Sequence, residues 1–150
     1  MANRLLGAIK QSRLNPECFE VEITENVLMT DIENSEHILS ELHKAGVKVA
    51  LDDFGTGYSS LSYLTKFPID RIKIDQSFIR NIASNSESAS LAKVIINLAK
   101  SLNIPSIAEG VETKEQYDFV KATDCNEVQG FYTGVPMRLE ELLIKYRPAQ

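Results

Sequence analysis

The chain has little of what several functional classes require. Its 150 residues carry 16 basic and 21 acidic side chains, a net charge of −5, so it lacks the basic surface that binding to a phosphate backbone needs, and we expect no nucleic-acid partner. Its two cysteines, Cys18 and Cys125, fit no metal-binding spacing and are expected to be reduced. Apolar runs are too short to span a bilayer and no signal peptide opens the chain, which favours a cytoplasmic location.

Strand and helix patterns alternate along the sequence. Alternating apolar and polar residues predict strands at 19–24, 47–52, 71–75, 104–109 and 127–129. Apolar stripes and capping residues predict helices at 3–13, 31–45, 58–66, 87–102, 113–122 and 139–146. This order predicts a single α/β domain with a parallel sheet, either an open doubly wound sheet or part of a (β/α)8 barrel.

Each predicted strand bears a charged or amide residue near its C-terminal end. These residues are Glu22, Asp52, Lys73, Glu109 and Gln129. The solvent-facing side of an antiparallel sheet would give the same alternation, but a helix follows every strand, so both faces should be covered. Barrel enzymes assemble their chemistry at this end of the strands, which favours the barrel.

Two adjacent acids, Asp52 and Asp53, precede a loop that contains Gly55 and Gly57. They could belong to a solvated turn that caps the next helix, or to a metal or catalytic site. Several carboxylates gathered inside a sheet are costly unless cations compensate them. Oxygen ligands without histidine or cysteine indicate a hard divalent ion, Mg²⁺ or Mn²⁺.

Five segments in order carry a family resemblance. They are Glu-Ile-Thr-Glu-Asn at 22–26, Leu-Asp-Asp-Phe-Gly-Thr-Gly-Tyr-Ser-Ser-Leu at 51–61, Ile-Lys-Ile-Asp at 72–75, Ala-Glu-Gly-Val-Glu at 108–112 and Val-Gln-Gly at 128–130. Together they resemble the successive signatures of the EAL domain family, which hydrolyses cyclic di-GMP to the linear dinucleotide. The resemblance implies a partial TIM-like (β/α)8 barrel over residues 1–150, comprising about the last five βα units.

The resemblance also implies roles for the acids and the lysine. Glu22 resembles a ligand of a first metal, Asp52 a ligand shared by two metals, and Asp53 a ligand of the second. Glu109 resembles a metal ligand or general base, and Lys73 a residue that orients or polarises the attacking water. Two nearby cations would activate a bridging water and neutralise the phosphodiester. Lys73 could instead be an ordinary ion-pair partner.

Four further residues are expected to support the site. Gln129 resembles a supporting residue on the last strand, and Glu25 the acid that holds the loop containing Thr56 in its working shape. Glu112 resembles a structural acid of the Glu-Gly-Val-Glu turn. Glu25 and Glu112 could equally be acids at helix starts.

The sequence also departs from the family pattern. It contains no Glu-Ala-Leu motif, no counterpart of an expected Asn ligand, and Val135 where the family has a basic residue. The first metal would therefore lose two ligands. Because of these absent ligands, we expect a truncated domain that is nearly inactive alone. Because five strands cannot close a barrel, we expect the chain either to form a homo-oligomer or an edge-paired dimer, or to fold poorly without the missing segment. The alternative is a non-catalytic EAL-like module that binds nucleotide or a protein partner.

Overall fold

The structure, a computed structural model, describes residues 2–56 and 64–146. Its helices are α1 (Ala2–Ser12), α2 (Glu25–Thr30), α3 (Ile32–Lys44), α4 (Gln76–Arg80), α5 (Ser86–Ser101), α6 (Lys114–Ala122) and α7 (Leu139–Lys145), with a 3-10 turn at Pro16–Cys18. Its strands are β1 (Glu20–Thr24), β2 (Lys48–Phe54), β3 (Arg71–Ile74), β4 (Ser106–Ala108) and β5 (Glu127–Val128).

These five strands form one parallel sheet in the order β1-β2-β3-β4-β5. Each strand pairs with the next in the chain, so β1 and β5 are the edges of the sheet within the described residues. Every carboxyl end therefore faces the same way, as helical crossovers between parallel strands require. The predicted α/β class with five parallel strands is confirmed.

Polar caps set the boundaries of the longer helices. Asp31 accepts a hydrogen bond from the amide of Asn34 at the start of α3, and Asn85 accepts from two amides at the start of α5. The predicted capping box of α6 is present, formed by Thr113 and Gln116. Such caps satisfy amides that have no partner within the helix. In residues 2–56 and 64–146, no helix combines the length and hydropathy that crossing a bilayer takes.

Three short elements were not predicted. Helices α2 and α4 have 6 and 5 residues, and the 3-10 turn has 3. Elements of this length are too short to show a helical period in the sequence. Of the predicted helix at 58–66, residues 58–63 lie outside the described residues.

The apolar core lies between one face of the sheet and the helices. Val49 and Leu51 on β2 and Ile72 and Ile74 on β3 are buried in one cluster with Ile96 from α5. Burying each such side chain contributes roughly 1.5–3 kcal/mol. Because side chains alternate along a strand, this packing turns the charged residues of the same strands to the opposite face.

That opposite face is concave. The Arg71 guanidinium on central strand β3 donates from Nε to Glu20 Oε2 on β1 at 3.0 Å and from Nη1 to the Glu127 carboxylate on β5. Neighbouring strands lie about 4.8 Å apart, so a flat sheet would separate β1 from β5 by about 19 Å. One side chain that contacts acids on both edges requires strong curvature, as in the wall of a barrel.

Gly130 lies where two backbone segments touch. A Cβ added to it would lie 2.2 Å from Val111 O and 2.4 Å from Val111 N. We therefore expect Gly130→Ala to lower the free energy of unfolding by about 1–3 kcal/mol, measured by chemical denaturation, because rigid backbone must move.

Gly7 provides the matched control. It lies within α1, and a Cβ added there would meet nothing within 4 Å. Gly7→Ala should stabilise the protein by roughly 0.5–1 kcal/mol, since alanine is the better helix former. An unchanged stability of Gly130→Ala would contradict the close approach.

Candidate functional site

A buried lysine is the centre of the candidate site. Lys73 lies on the middle strand, and its side chain is 7% exposed. Its Nζ lies 2.8 Å from Glu22 Oε1 on β1, 3.2 Å from Asp52 Oδ1 on β2 and 2.9 Å from Glu109 Oε1 just after β4. Four predicted site residues, from four neighbouring strands, thus meet at the carboxyl end of the sheet. We define them as the Lys73 cluster.

The charges of the Lys73 cluster do not balance. Burial alone lowers the pKa of Lys73, but hydrogen bonds to Glu22, Glu109 and Asp52 outweigh it and raise the pKa above its ordinary value. Lys73 is therefore an ammonium at neutral pH and cannot accept a proton from water. One ammonium faces three carboxylates, so the cluster keeps negative charge that further cations could neutralise.

Asp53 has an unusual backbone conformation. The register between β2 and β3 shifts between Leu51 and Phe54, and Asp53 has a φ of 54°. Its amide donates to Asp52 Oδ1 at 3.0 Å, which fixes the carboxylate of the preceding residue. A positive φ is uncommon outside glycine, although Asp and Asn tolerate it best. The bulge places two successive acids at the end of one strand.

The charge of Asp53 is disfavoured where it lies. Burial is the largest cause that raises the pKa of its carboxyl above the ordinary value, and the charges of Asp52 and Asp75 raise it further, against the effect of Lys73. Asp75, which belongs to the Ile-Lys-Ile-Asp segment, was not predicted as a site residue. Its side chain accepts a hydrogen bond from the amide of Ser77 at the start of α4. Its place in the Ile-Lys-Ile-Asp segment is the only sequence signal that could have indicated Asp75 as a site residue.

The loop after β2 is held from two sides. Glu25, the first residue of α2, is 3% exposed, and its Oε2 accepts a hydrogen bond from the amide of Gly55 at 3.3 Å. The Thr56 hydroxyl donates to Asp53 O at 2.8 Å. Gly55 has a φ of 93°, and a Cβ there would lie 2.8 Å from Ile95 Cδ1. Glu25 is thus both a helix-start acid and a contact of the loop.

Gln129 and Glu112 lie outside the described contacts of the Lys73 cluster. Gln129 follows β5 and is exposed, with its amide donating to Ala108 O at 2.8 Å. The Glu112 side chain is also exposed, and its amide donates to Gln116 Oε1 at 2.6 Å. Gln116, which is buried and also bonds Arg80 O, ties down this turn. In the sequence, only its position in the predicted capping box with Thr113 pointed to Gln116.

The donor chemistry of the site fits a hard divalent cation. Glu22, Asp52, Asp53 and Glu109 offer only carboxylate oxygens, which Mg²⁺ and Mn²⁺ accept. Among residues 2–56 and 64–146, however, no group of three or more His, Cys, Asp or Glu side chains is placed to hold a metal ion. Three of these carboxylates instead contact the Lys73 ammonium. A metal would therefore compete with Lys73 for the same oxygens.

The fold and the site define a class of protein. A curved parallel sheet with acids and a lysine gathered at the carboxyl ends of its strands is the arrangement of a barrel-type α/β domain. The sequence profile of the EAL domain matches residues 1–136. The chain belongs to the EAL domain family, as its signatures predicted.

Relatives in this family include two proteins of Pseudomonas aeruginosa. The bifunctional diguanylate cyclase/cyclic di-GMP phosphodiesterase MucR is 41% identical over 143 residues, which are 95% of this chain and 21% of MucR. The cyclic di-GMP phosphodiesterase NbdA is 41% identical over 150 residues, 98% of this chain and 19% of NbdA. The chain thus spans about a fifth of the length of these relatives.

Solved structures agree in fold. PaMucR phosphodiesterase in complex with c-di-GMP matches with a TM-score of 0.88 and 42% identity, over 91% of this chain and 56% of that one. Klebsiella pneumoniae BlrP1, solved with manganese and cy-diGMP, matches with a TM-score of 0.78 and 33% identity, over 86% of this chain and 33% of that one. The described residues therefore have an EAL domain fold that spans part of these longer chains.

Replacing Asp53 by Asn should stabilise the protein at neutral pH. Asn tolerates the positive φ and removes the charge that burial, Asp52 and Asp75 disfavour. Because the folded pKa of Asp53 is raised, the stability contributed by its protonated form is lost as the pH rises through that pKa. Asp53→Asn should therefore raise Tm at pH 7, with a gain that disappears below the ordinary pKa of 3.8.

Thermal unfolding between about pH 3 and pH 8 measures this effect. Asp53→Ala is the matched control, since it also removes the charge but tolerates the positive φ less well, so its gain should be smaller. A gain for Asp53→Asn that is equally large at both ends of the pH range would exclude the charge as its cause.

Proposed function

We propose that this chain supplies much of the active site of a cyclic di-GMP phosphodiesterase, in which water is added across one phosphodiester bond to give the linear dinucleotide. The observation that carries the proposal is the Lys73 ammonium held by three carboxylates at the strand ends. Relatives named as cyclic di-GMP phosphodiesterases support the substrate.

The acids of the site would bind divalent metal ions. In this proposal Glu22 belongs to a first site, Asp52 is shared, and Asp53 and Glu109 belong to a second, with Mg²⁺ or Mn²⁺ as the ions. The BlrP1 structures, solved with calcium or manganese and cy-diGMP, support a divalent ion. When bound, two such ions would lower the pKa of a water and neutralise phosphate charge.

The protein's own groups would orient the substrate and move the proton. Lys73 remains charged, so it acts as a fixed cation towards hydroxide or a developing phosphate oxyanion. Glu109, 19% exposed, carries a carboxylate that could accept the proton of the attacking water. The side-chain amide of Gln129, which is exposed after β5, can donate a hydrogen bond to a phosphate oxygen. Glu25 and Thr56 keep the loop beside Asp53 in place.

A second candidate function is a non-catalytic module that binds the nucleotide or a protein. Two observations favour it. The sequence lacks the Glu-Ala-Leu segment and has Val135 in place of a basic residue, and the described acids contact Lys73 rather than forming a metal-binding group. We therefore propose that the chain alone is nearly inactive.

Hydrolysis of cyclic di-GMP with Mg²⁺ or Mn²⁺ tests these alternatives. The chain alone should show turnover near background. The chain joined to the preceding part of the MucR EAL domain should hydrolyse the nucleotide, and Asp52→Asn should lower that rate about 100-fold or more because it weakens metal binding. Lys100→Met, which removes an exposed ion pair with Asp124, is the control and should leave the rate unchanged.

Two other outcomes of the hydrolysis assay would each contradict one part of the proposal. Turnover by the chain alone that Asp52→Asn abolishes would contradict its inactivity. A folded but inactive completed domain would contradict catalysis and leave the binding module.

We also propose that the chain associates with a second copy of itself through the edge at β1. An exposed groove of about 650 Å³ runs along this edge and is lined by apolar side chains that include Leu5, Val21, Ile23 and Val27. An uncovered strand edge beside apolar surface favours pairing with another chain.

Light scattering after size exclusion should show a dimer or larger oligomer. Val27→Glu should shift it towards monomer, because a charge in the groove opposes its burial. Val27 is 58% exposed, so the fold should tolerate the change. Val94→Glu, at a 62% exposed site on α5, is the matched control and should have no effect. A monodisperse monomer of the unmodified chain would contradict the proposal.

A further inference from the structure

Arg71 connects strands that have no backbone contact with each other. It opens β3, and its guanidinium contacts Glu20 on one edge strand and Glu127 on the other. The Arg71 side chain is 26% exposed, and burial, which lowers its pKa, is outweighed by the two acids, which raise it. A planar guanidinium can donate to two carboxylates in fixed directions at once, which suits it to join two strands.

This ion-pair triad lies directly before the Lys73 cluster along the strands. Side chains two residues apart on a strand share one face. Glu20 thus precedes Glu22 on β1, Arg71 precedes Lys73 on β3, and Glu127 precedes Gln129, which follows β5. Each acid that contacts Arg71 therefore lies two residues before a proposed site residue in the sequence.

Within the described residues each edge strand has a backbone partner on one side only, and β1 is also joined to β3 by the Glu22–Lys73 ion pair. β5 consists of two residues, and its register with β4 covers only the pairs Ile107–Glu127 and Ala108–Val128. β1 pairs with β2 on one side. The backbone ladder therefore fixes each edge only to its neighbour, whereas the Arg71 contacts fix both edges to the middle of the sheet.

We propose that Arg71 is a positioning residue, which holds β1 and β5 in the curvature that keeps Glu22 in contact with Lys73 and fixes the end of β5, after which Gln129 follows. The role given to Gln129 and Glu22 rests on the proposed function. The positioning itself is a property of the folded chain and can be measured without nucleotide.

NMR on the full chain tests this proposal. Arg71→Met should make the Gln129 amide, which donates to Ala108 O, exchange its hydrogen at least about tenfold faster, as expected for local opening. The Glu109 amide, bonded to Ile74 O within the sheet, should keep its protection. The Gln129 side-chain amide signals and the Glu22 carboxyl carbon signal should both shift.

Single variants separate the two edges. Glu127→Gln should change the Gln129 signals and exchange but not the Glu22 signal, and Glu20→Gln should change the Glu22 signal alone. Arg71→Lys should keep more of the protection than Arg71→Met, because lysine retains the positive charge but lacks the planar guanidinium that donates to both acids. Lys48→Met is the matched control, since it removes a cation at the same end of the sheet that contacts Asp70 rather than the edge acids, and it should leave the Gln129 and Glu22 signals unchanged.

The proposal fails if Arg71→Met leaves the exchange of the Gln129 amide unchanged. It also fails if all amides lose protection equally, since Arg71 would then contribute only to overall stability. A chain that neither binds nor hydrolyses cyclic di-GMP would still give these signals, so failure of the proposed function is distinguished from failure of this inference.

Discussion

The contact of one ammonium with three carboxylates is the interaction on which the site depends. Lys73 is almost fully buried, and such a charge is tolerated in an interior only when opposite charges and hydrogen bonds compensate it. The compensating acids come from β1, β2 and the end of β4. A change in the position of any one of these strands would remove at least one of the contacts that compensate the buried ammonium, so the electrostatics of the cluster and the register of the sheet constrain each other.

The register makes this convergence possible. In a parallel sheet all carboxyl ends lie at one edge, so residues that are far apart in sequence meet without long loops. Regular alternation would send Asp52 and Asp53 to opposite faces of the sheet. The register shift and the positive φ of Asp53 remove that restriction. In this position the charge of Asp53 is disfavoured, because burial first and then the nearby acids Asp52 and Asp75 raise the pKa of its carboxyl.

Sequence patterns predicted the part of this arrangement that follows from alternation. Parity along the strands placed Glu22, Asp52, Lys73 and Glu109 on one face, and the structure brings these four together. The short helices α2 and α4 could not be predicted, because 5 or 6 residues show no period. The bridge from Arg71 to both edges depends on the curvature of the whole sheet, a tertiary property that no local pattern contains.

The excess of acids over lysine in the Lys73 cluster links stability to function. In a sheet selected for stability alone, apolar residues would replace such a cluster at little or no cost. The three carboxylates around one ammonium instead keep residual negative charge at the carboxyl ends of the strands, which a further cation could neutralise. Because the oxygens that would bind a metal are the same ones that bind Lys73, binding a cation must redistribute the contacts of the lysine. In the proposed phosphodiesterase, a Lys73 released in this way would still be charged and would serve as a cation towards the phosphate.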